Sequence, residues 1–351
     1  MKDLIDKLYK TSNLTDEELK FLIENITEND QEYLHKKARA KADEIYGKKV
    51  FIRGLIEFSN YCKNDCYYCG IRASNKCAER YRLTKEEILS CCEQGYELGF
   101  YTFVLQGGED LHYSDTDFGE IVREIKKKYP DCAVTLSVGE REFDTYKYWF
   151  DCGADRYLLR HETADKEHYE KLHPEKMFFE NRMRCLKNLK EIGYQTGCGF
   201  MVGSPYQTTD CIVKDLRFIK NFEPEMVVIG PYLSHKDTPF NNQKNGDVRL
   251  TLILLSVIRL LLPHVLLPAT TALGTAQNDG RERGILAGAN VIMPNLSPVS
   301  VREKYSLYDN KLSSGNEAAE SIKQLKQSIK NIGYEIVSSR GDNIKFNNQG
   351  E

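Results

Sequence analysis

Short apolar runs alternate with amphipathic stretches along most of the chain. Eight of the apolar runs have the length of buried strands, and the stretches between them repeat their apolar residues at helical spacing. The predicted strands cover residues 50–58, 102–106, 134–138, 156–160, 197–202, 226–230, 266–269 and 291–293. The predicted helices between them cover residues 85–98, 117–129, 143–150, 179–192, 209–221, 248–261 and 281–287.

Eight strand units that alternate with seven helical units predict an α/β fold with a parallel sheet. Eight repeats predict that this sheet closes into a complete (β/α)8 barrel of the TIM type, which we expect over residues 47–296. Residues 1–46 precede the alternating pattern and predict an N-terminal extension of two short helices. Thr15, with Glu18 three residues later, marks one helix start.

Residues 297–351 follow the last predicted strand and form a C-terminal extension, which we expect to close the barrel. Its one clear helical pattern covers residues 317–332. The polar tail from Arg340 onward is expected to be frayed, since chain ends are poorly ordered unless something holds them.

The composition excludes several classes of protein. The 351 residues carry a net charge of −3 without a long basic block, so we do not expect nucleic-acid binding. The most apolar stretch, residues 250–262, is interrupted by Arg259 and is too short to span a bilayer. The first ten residues lack the apolar core of a signal peptide. A cytoplasmic protein without a membrane segment is therefore expected.

All 11 cysteines lie between Cys62 and Cys211. An odd number without a secretory leader argues against a disulfide framework. Three of them, Cys62, Cys66 and Cys69, have the spacing C-x3-C-x2-C directly after the first predicted strand. This loop lies at the carboxyl-terminal face of a barrel, where active sites of such barrels are found.

A cubane iron–sulfur cluster normally takes four thiolates. Three thiolates leave one iron with an open coordination position, which suits the amino and carboxylate groups of S-adenosylmethionine (SAM). We therefore predict one [4Fe–4S] cluster on the triplet. A structural zinc site is a weaker alternative, because its fourth ligand would have to be Cys77 or a distant histidine. The other cysteines are expected in the core: Cys91, Cys92, Cys132, Cys152, Cys185, Cys198 and Cys211.

Polar residues also follow other predicted strands, on the same face as the triplet. Gly107 and Gly108 allow close approach of a ligand to the backbone, and Glu109 can accept a hydrogen bond from an ammonium group. Arg160 and Glu162 can bind a carboxylate and an amino group, or can simply pair with each other. Further candidates are Ser137, Arg182, Thr270 and Thr271, the last two of which could equally form a helix cap.

With the triplet, the Gly-Gly-Glu segment and the predicted barrel, the chain resembles the radical SAM superfamily. It is most similar to the branch that contains biotin synthase, methylornithine synthase and the HydE family of [FeFe]-hydrogenase maturases, and within that branch to HydE. The resemblance covers roughly residues 45–310. The segments that carry it are 58–62, 69–72, 105–109, 135–140, 159–163, 201–203 and 293–295.

The resemblance implies roles for individual residues. Residues matching the family's SAM contacts are Tyr68, Gln106, Gly107, Gly108, Glu109, Ser137, Glu162 and Arg182. Residues matching the lining of its substrate cavity are Arg160, Met226, Thr270, Thr271 and Tyr305. The implied reaction is reductive cleavage of SAM to a 5′-deoxyadenosyl radical.

The resemblance also implies partners. HydE acts with HydG and HydF in building the diiron subsite of the hydrogenase H-cluster, from an iron synthon as substrate, and needs an electron donor such as ferredoxin or flavodoxin. Many HydE proteins carry a second cysteine set near the C-terminus. The corresponding stretch here, residues 308–316, contains no cysteine, which predicts a single cluster.

Two alternatives of different kinds remain open. The first is an amino-acid mutase resembling methylornithine synthase, whose cavity would bind an α-amino group, an α-carboxylate and a distal amine. The second is a non-enzymatic iron–sulfur protein that only transfers electrons, which the open coordination position disfavours. Biotin synthase is disfavoured because the cysteines expected for its second cluster are not all present.

Overall fold

The computed structural model of the chain describes residues 1–313 and 318–347. Glu317, the first residue of the predicted C-terminal helix, lies outside the described residues. So do residues 348–351 of the predicted tail and residues 314–316 of the cysteine-free stretch.

Helices fill the positions that the apolar periodicity predicts. Each of the seven predicted helices is present within a few residues of its expected bounds, whereas the N-terminal region holds three helices instead of two. The described α-helices are α1 (Lys2–Thr11), α2 (Asp16–Asn25), α3 (Glu28–Tyr46), α4 (Lys85–Glu97), α5 (Asp115–Lys128), α6 (Phe143–Asp151), α7 (Lys166–Leu172), α8 (Phe179–Ile192), α9 (Thr209–Phe222), α10 (Val248–Leu261), α11 (Thr271–Ala276), α12 (Gly280–Leu286), α13 (Val299–Arg302), α14 (Ile322–Asn331) and α15 (Ile344–Asn347).

The strands pair in parallel, as the alternation predicts. A six-stranded sheet has the order β2-β3-β4-β5-β6-β8, a second sheet has the order β10-β1-β11, and β7 pairs with β9. The described strands are β1 (Lys49–Ile52), β2 (Gly54–Ser59), β3 (Thr102–Gly107), β4 (Ala133–Ser137), β5 (Arg156–Leu158), β6 (Gln195–Cys198), β7 (Met201–Val202), β8 (Met226–Val227), β9 (Gly230–Pro231), β10 (Val291–Ile292) and β11 (Glu335–Val337).

The predicted complete barrel is not confirmed, because these ladders do not join into one closed sheet. Several predicted strands are broken where the backbone bends. Gly199 separates β6 from β7 with a φ of +154°, and a Cβ there would lie 1.9 Å from the carbonyl oxygen of Val228. The predicted strand at 266–269 contributes only isolated parallel bridges, Met226–Leu266 and Pro268–Val291.

Local capping explains where several helices begin. The hydroxyl of Thr15 accepts a hydrogen bond from the amide of Glu18, and the Glu18 carboxylate accepts one from the Thr15 amide. This capping box confirms the predicted start of α2. Thr84 and Glu87 form the same arrangement at the start of α4, which leads out of the long cysteine loop.

The most apolar segment of the chain is a buried helix. Nearly all side chains of α10 are buried, and α10 packs against α1 and α3 of the N-terminal region. Arg259 on this helix is fully buried and donates to the carbonyl oxygens of Pro263 and Gly288 at 2.7 and 2.9 Å. Among the described residues, no helix has both the length and the apolar character needed to cross a membrane.

The end of the C-terminal extension, residues 340–343, packs against the amino-terminal ends of the central strands. Asp342 pairs with the fully buried Arg156 of β5 at 2.5 Å and accepts a hydrogen bond from Gln195 of β6 at 2.7 Å. The carbonyl oxygen of Arg340 accepts a second hydrogen bond from Arg156. The expectation of a frayed tail from Arg340 onward is therefore wrong for residues 340–343, because these contacts hold them in place.

Removal of this carboxylate tests its contribution to stability. Asp342→Ala leaves Arg156 buried without its partner, so the free energy of unfolding should fall by about 3–5 kcal/mol. Chemical denaturation measures this change. Asp151→Ala breaks only the exposed pair with Lys147 and should change stability by about 0.5 kcal/mol or less. Equal effects of the two substitutions would show that the buried pair does not hold the extension.

The same pair predicts how stability depends on pH. Burial alone would raise the pKa of the Asp342 carboxyl, but the charges and hydrogen bonds of Arg156, Arg340 and Gln195 hold that pKa well below its usual range. The stabilisation is therefore present above the unfolded pKa of about 4 and is lost as the pH falls towards the folded value.

Candidate active site

A cavity of about 330 Å³ opens at the carboxyl-terminal ends of the central strands. Because the strands are parallel, residues that follow β2, β3, β4 and β5 converge there. All of the predicted site residues except Met226 line this cavity: Cys62, Cys66, Tyr68, Cys69, Gln106, Gly107, Gly108, Glu109, Ser137, Arg160, Glu162, Arg182, Thr270, Thr271 and Tyr305.

The cysteine loop is held by side chains that bond to its backbone. The side-chain amide of Asn60 donates to the carbonyl oxygens of Glu79 and Lys304, at 2.8 and 2.7 Å. Arg80 donates to several carbonyl oxygens of the loop, including that of Arg72 at 2.7 Å. Asp65, between the first two cysteines of the triplet, pairs with Arg72 at 2.8 Å. These contacts within the chain hold the conformation of the cysteine loop.

The three thiols are poorly ionised in this environment. Burial raises the pKa of Cys62, Cys66 and Cys69, that of Cys69 to about 12, and the neighbouring thiols raise those of Cys66 and Cys69 further. Cysteine ligates a metal as the thiolate and not as the thiol. Binding of a cluster must therefore displace the protons of the three thiols. No three His, Cys, Asp or Glu side chains within residues 1–313 and 318–347 are placed to hold a single metal ion.

The segment after β3 lies directly against the cysteine loop. A Cβ at Gly108 would lie 2.1 Å from the carbonyl oxygen of Tyr61, so this contact requires glycine. The amide of Glu109 donates to the sulfur of Cys62 at 3.4 Å. The Glu109 carboxylate is buried and lies 3.2 Å from the Lys63 ammonium, yet its Oε2 makes no hydrogen bond within the described residues.

Arg160 and Glu162 form an ion pair in the cavity at 3.1 Å. The two paired atoms, Nη2 of Arg160 and Oε2 of Glu162, make no hydrogen bond among the described residues, and Nε of Arg160 is buried without a hydrogen-bond partner there. Hydrogen-bonding capacity therefore remains on both sides of the pair. Arg182 is more fully engaged. Its Nε pairs with Glu140 and its Nη1 donates to the carbonyl oxygen of Arg160, both at 2.5 Å.

A buried His–Asp pair fixes the backbone that carries Arg160 and Glu162. His161 accepts a hydrogen bond from the Gly199 amide through Nδ1, so its Nε2 carries the proton and donates to Asp215 at 3.2 Å. Burial lowers the pKa of His161 to about 3, which keeps the ring neutral. Glu162 itself has a φ of +66°, a strained conformation for a residue other than glycine.

Met226 does not line the cavity, contrary to the sequence-based expectation. It begins β8 and packs with Tyr46, Phe51 and Leu266 near the amino-terminal ends of the strands. Its sulfur accepts a hydrogen bond from Arg53 at 2.6 Å. The residues of the same chain segment that reach the cavity are Val228 and the residues after it, because only the carboxyl-terminal half of this segment extends to that face.

Two charged residues of the cavity wall were not anticipated. Glu57 of β2 is fully buried and pairs with Lys311 at 2.5 Å. A charged residue within an otherwise apolar strand was a signal for Glu57, since a buried carboxylate needs a partner. No pattern in the sequence pointed to Lys311.

The cavity fits an iron–sulfur cluster and SAM. The triplet supplies three soft ligands. The Oε2 atoms of Glu109 and Glu162 are in ion pairs but make no hydrogen bond among the described residues, so they remain acceptors suited to an amino group. Nε of Arg160 and the hydroxyl of Thr270 offer donors without hydrogen-bond partners among the described residues. An apolar remainder, including Leu55, Leu158 and Met201, surrounds these polar atoms.

Replacement of one triplet cysteine tests the cluster site. Cys66→Ala should abolish cluster assembly, whereas the unaltered protein should retain about four iron atoms per chain after loose iron is removed. Iron and sulfide analysis measures both. Cys77→Ala, in the same loop but outside the cavity, should retain the cluster. A stable cluster in the Cys66 variant, or about eight iron atoms in the unaltered protein, would contradict the assignment.

Comparison with known proteins gives a consistent result. Residues 56–219 match the model of the radical SAM superfamily. The chain is 50% identical to the [FeFe] hydrogenase maturase subunit HydE of Thermotoga maritima, over 77% of this chain and 78% of that protein. It is 31% identical to 3-methylornithine synthase of Methanosarcina acetivorans, over 94% of this chain and 92% of that protein.

A solved structure also resembles the fold. The crystal structure of methylornithine synthase (PylB) superposes with a TM-score of 0.85 and 30% identity, over 95% of this chain and 97% of that one. The likeness therefore extends beyond the segment that carries the cysteine triplet.

Proposed function

The chain belongs to the radical SAM superfamily, and from this premise we propose that it is a HydE-type maturase, which cleaves SAM and acts in assembly of the diiron subsite of [FeFe] hydrogenase. It is a radical SAM enzyme, and members of this family use a [4Fe–4S] cluster and SAM. The observation that carries the proposal is the convergence, in one cavity, of three thiols with carboxylates and an arginine that keep buried atoms without hydrogen bonds among the described residues.

The first part of the cavity is assigned to the cofactors. Cys62, Cys66 and Cys69 would hold three irons of the cluster and leave the fourth to the amino and carboxylate groups of SAM. When bound, the cluster supplies the electron that breaks the S–C5′ bond of SAM. Glu109 and Glu162 are suited to accept hydrogen bonds from the SAM amino group. The remaining expected contacts are Tyr68, Gln106, Gly107, Gly108, Ser137 and Arg182.

Arg182 has a restricted role in this assignment. Its Nε and Nη1 are already engaged by Glu140 and by the carbonyl oxygen of Arg160. A contact with the SAM carboxylate would therefore use its second terminal nitrogen. The bond from Nη1 holds the backbone of Arg160, so Arg182 connects the SAM half of the cavity with the substrate half.

The second part of the cavity is assigned to substrate, with Arg160, Thr270, Thr271 and Tyr305 as its polar lining. The side chains of Tyr305 and Gln106 are close enough to form a hydrogen bond, and they lie where the two halves of the cavity meet. Burial of this region excludes water, which protects a reactive radical. An iron-containing synthon is the substrate that the HydE relationship favours.

The proposal extends to the partners and the location of the protein. HydG and HydF are the proposed partners, with ferredoxin or flavodoxin as the electron donor and the cytoplasm as the location.

We propose that the eight parallel segments form a complete barrel over residues 47–296, with extensions at 1–46 and 297–351. The isolated bridges Leu55–Asn295, Met226–Leu266 and Pro268–Val291 between the separate ladders support this closure.

A second candidate is an amino-acid mutase like 3-methylornithine synthase. The coverage of nearly the whole chain at 31% identity and the TM-score of 0.85 favour it as the alternative. The two candidates differ in product. Co-expression with HydG, HydF and a hydrogenase, in a host that lacks all maturases, should yield active hydrogenase only when this chain is present. Formation of methylornithine without hydrogenase activity would favour the mutase.

Arg160→Ala tests the division of the cavity into two halves. Deoxyadenosine should still form from SAM, but it should be uncoupled from hydrogenase maturation because the substrate loses its cationic contact. Both products are quantified from the same reaction. Arg184→Ala removes an exposed arginine that pairs with Glu142 and should leave both unchanged. Normal maturation by the Arg160 variant would reject a substrate role for this residue.

A further inference from the structure

A buried ion pair in the cavity wall brings the C-terminal extension into contact with β2. Lys311 lies 2.5 Å from Glu57, and the two side chains are 9% and 1% exposed. The Lys311 ammonium also donates to the carbonyl oxygen of Tyr305 at 3.0 Å. Both partners line the cavity that contains the cysteine triplet. Lys311 is therefore the charged side chain that the described part of the extension contributes to the candidate active site.

The fold itself does not explain this pair. Burial of two charges removes them from water, and apolar residues of similar volume at such positions are often as stable or more stable. Most other side chains of β2 are apolar, and Ile56 and Phe58 on either side of Glu57 are fully buried. We therefore expect this charge pair to have a function in the cavity rather than in stabilising the fold.

Glu57 is fixed so that it can hold the lysine. Its Oε1 accepts from Lys311, and its Oε2 accepts from the amide of Asn295 at 2.8 Å. Asn295 is itself held, because its Oδ1 accepts from the Ser297 amide at 2.8 Å. Both carboxylate oxygens of Glu57 therefore have hydrogen-bond partners within the chain.

Lys311 differs from Glu57 in this respect. An ammonium group has three N–H donors. The described residues provide hydrogen-bond acceptors for two of them, on Glu57 and Tyr305. A third donor remains, on a positive charge that is buried in the wall of the same cavity as Thr270, whose hydroxyl also lacks a partner within the described residues.

We propose that Lys311 is a substrate-binding residue whose ammonium group binds an anionic group of the substrate, such as a carboxylate, and that Glu57 positions it. The inference rests on the proposed function and defines its substrate class, a small molecule with an anionic group. It also gives the C-terminal extension a direct role in specificity.

Three variants separate this role from simple neutralisation of Glu57. Lys311→Met leaves Glu57 buried without its cation. The double variant Glu57→Gln with Lys311→Met removes both charges and keeps the volumes nearly unchanged. Lys304→Met is the matched control. Lys304 lies on the same chain segment as Lys311, and its pair with Glu79 is more exposed than the Lys311–Glu57 pair. Iron content and circular dichroism verify that each variant is folded and loaded.

The readouts are deoxyadenosine formation without substrate and the amount of HydG reaction mixture needed for half-maximal hydrogenase activation. In Lys311→Met and in the double variant, that amount should rise about 10- to 100-fold, as expected for loss of one hydrogen bond to a charged group. Substrate-free deoxyadenosine formation, measured in the same samples, normalises each variant for cofactor loading, and Lys304→Met should change neither readout. Lys311→Arg, which keeps the cation, should recover part of the loss.

Restored activation in the double variant would overturn the inference, since it would show that Lys311 only neutralises Glu57. Unchanged activation by Lys311→Met would overturn it as well. Failure of the unaltered protein to activate hydrogenase is a different result, which would reject the proposed function and this inference with it.

Discussion

The shared direction of the central strands is the constraint on which the site depends. Because β2 to β6 and β8 are parallel, their carboxyl-terminal ends meet at one face, and the loops that follow them enclose one cavity. Residues as distant in sequence as Cys62, Glu162 and Thr270 are thereby brought together. Reversal of one strand would place its polar end at the opposite face, where Arg340 and Asp342 pack.

Buried charge determines what the cavity can bind. Charged groups inside a protein are costly unless they have partners, so most of those near the site are paired, as in Glu57–Lys311 and Arg182–Glu140. Glu109, Arg160 and Glu162 each keep a buried atom that makes no hydrogen bond within the described part of the chain. The pairs give the site its shape, and the unsatisfied atoms give it affinity for a polar ligand.

The sequence predicted the parts of this arrangement that depend on local patterns. The spacing of the triplet, the capping residues of α2 and the helical periodicities needed no distant information. The closed sheet could not be predicted with the same reliability, because backbone breaks such as that at Gly199 depend on contacts with Val228. Met226 was misplaced because a residue at the start of a short strand lies at the opposite face from the strand's end. Lys311 was missed because its partner is 254 residues away, and the packing of Arg340 and Asp342 depends similarly on Arg156.

The central claim is that three cysteines hold a cluster which SAM joins at its open iron. The most direct measurement is EPR of the anaerobically reconstituted and reduced protein, with and without SAM, with deoxyadenosine quantified from the same sample. The account predicts a [4Fe–4S]+ signal that changes when SAM is added and deoxyadenosine that accumulates with it. A cubane signal that is indifferent to SAM, or no cubane signal at all, would contradict it.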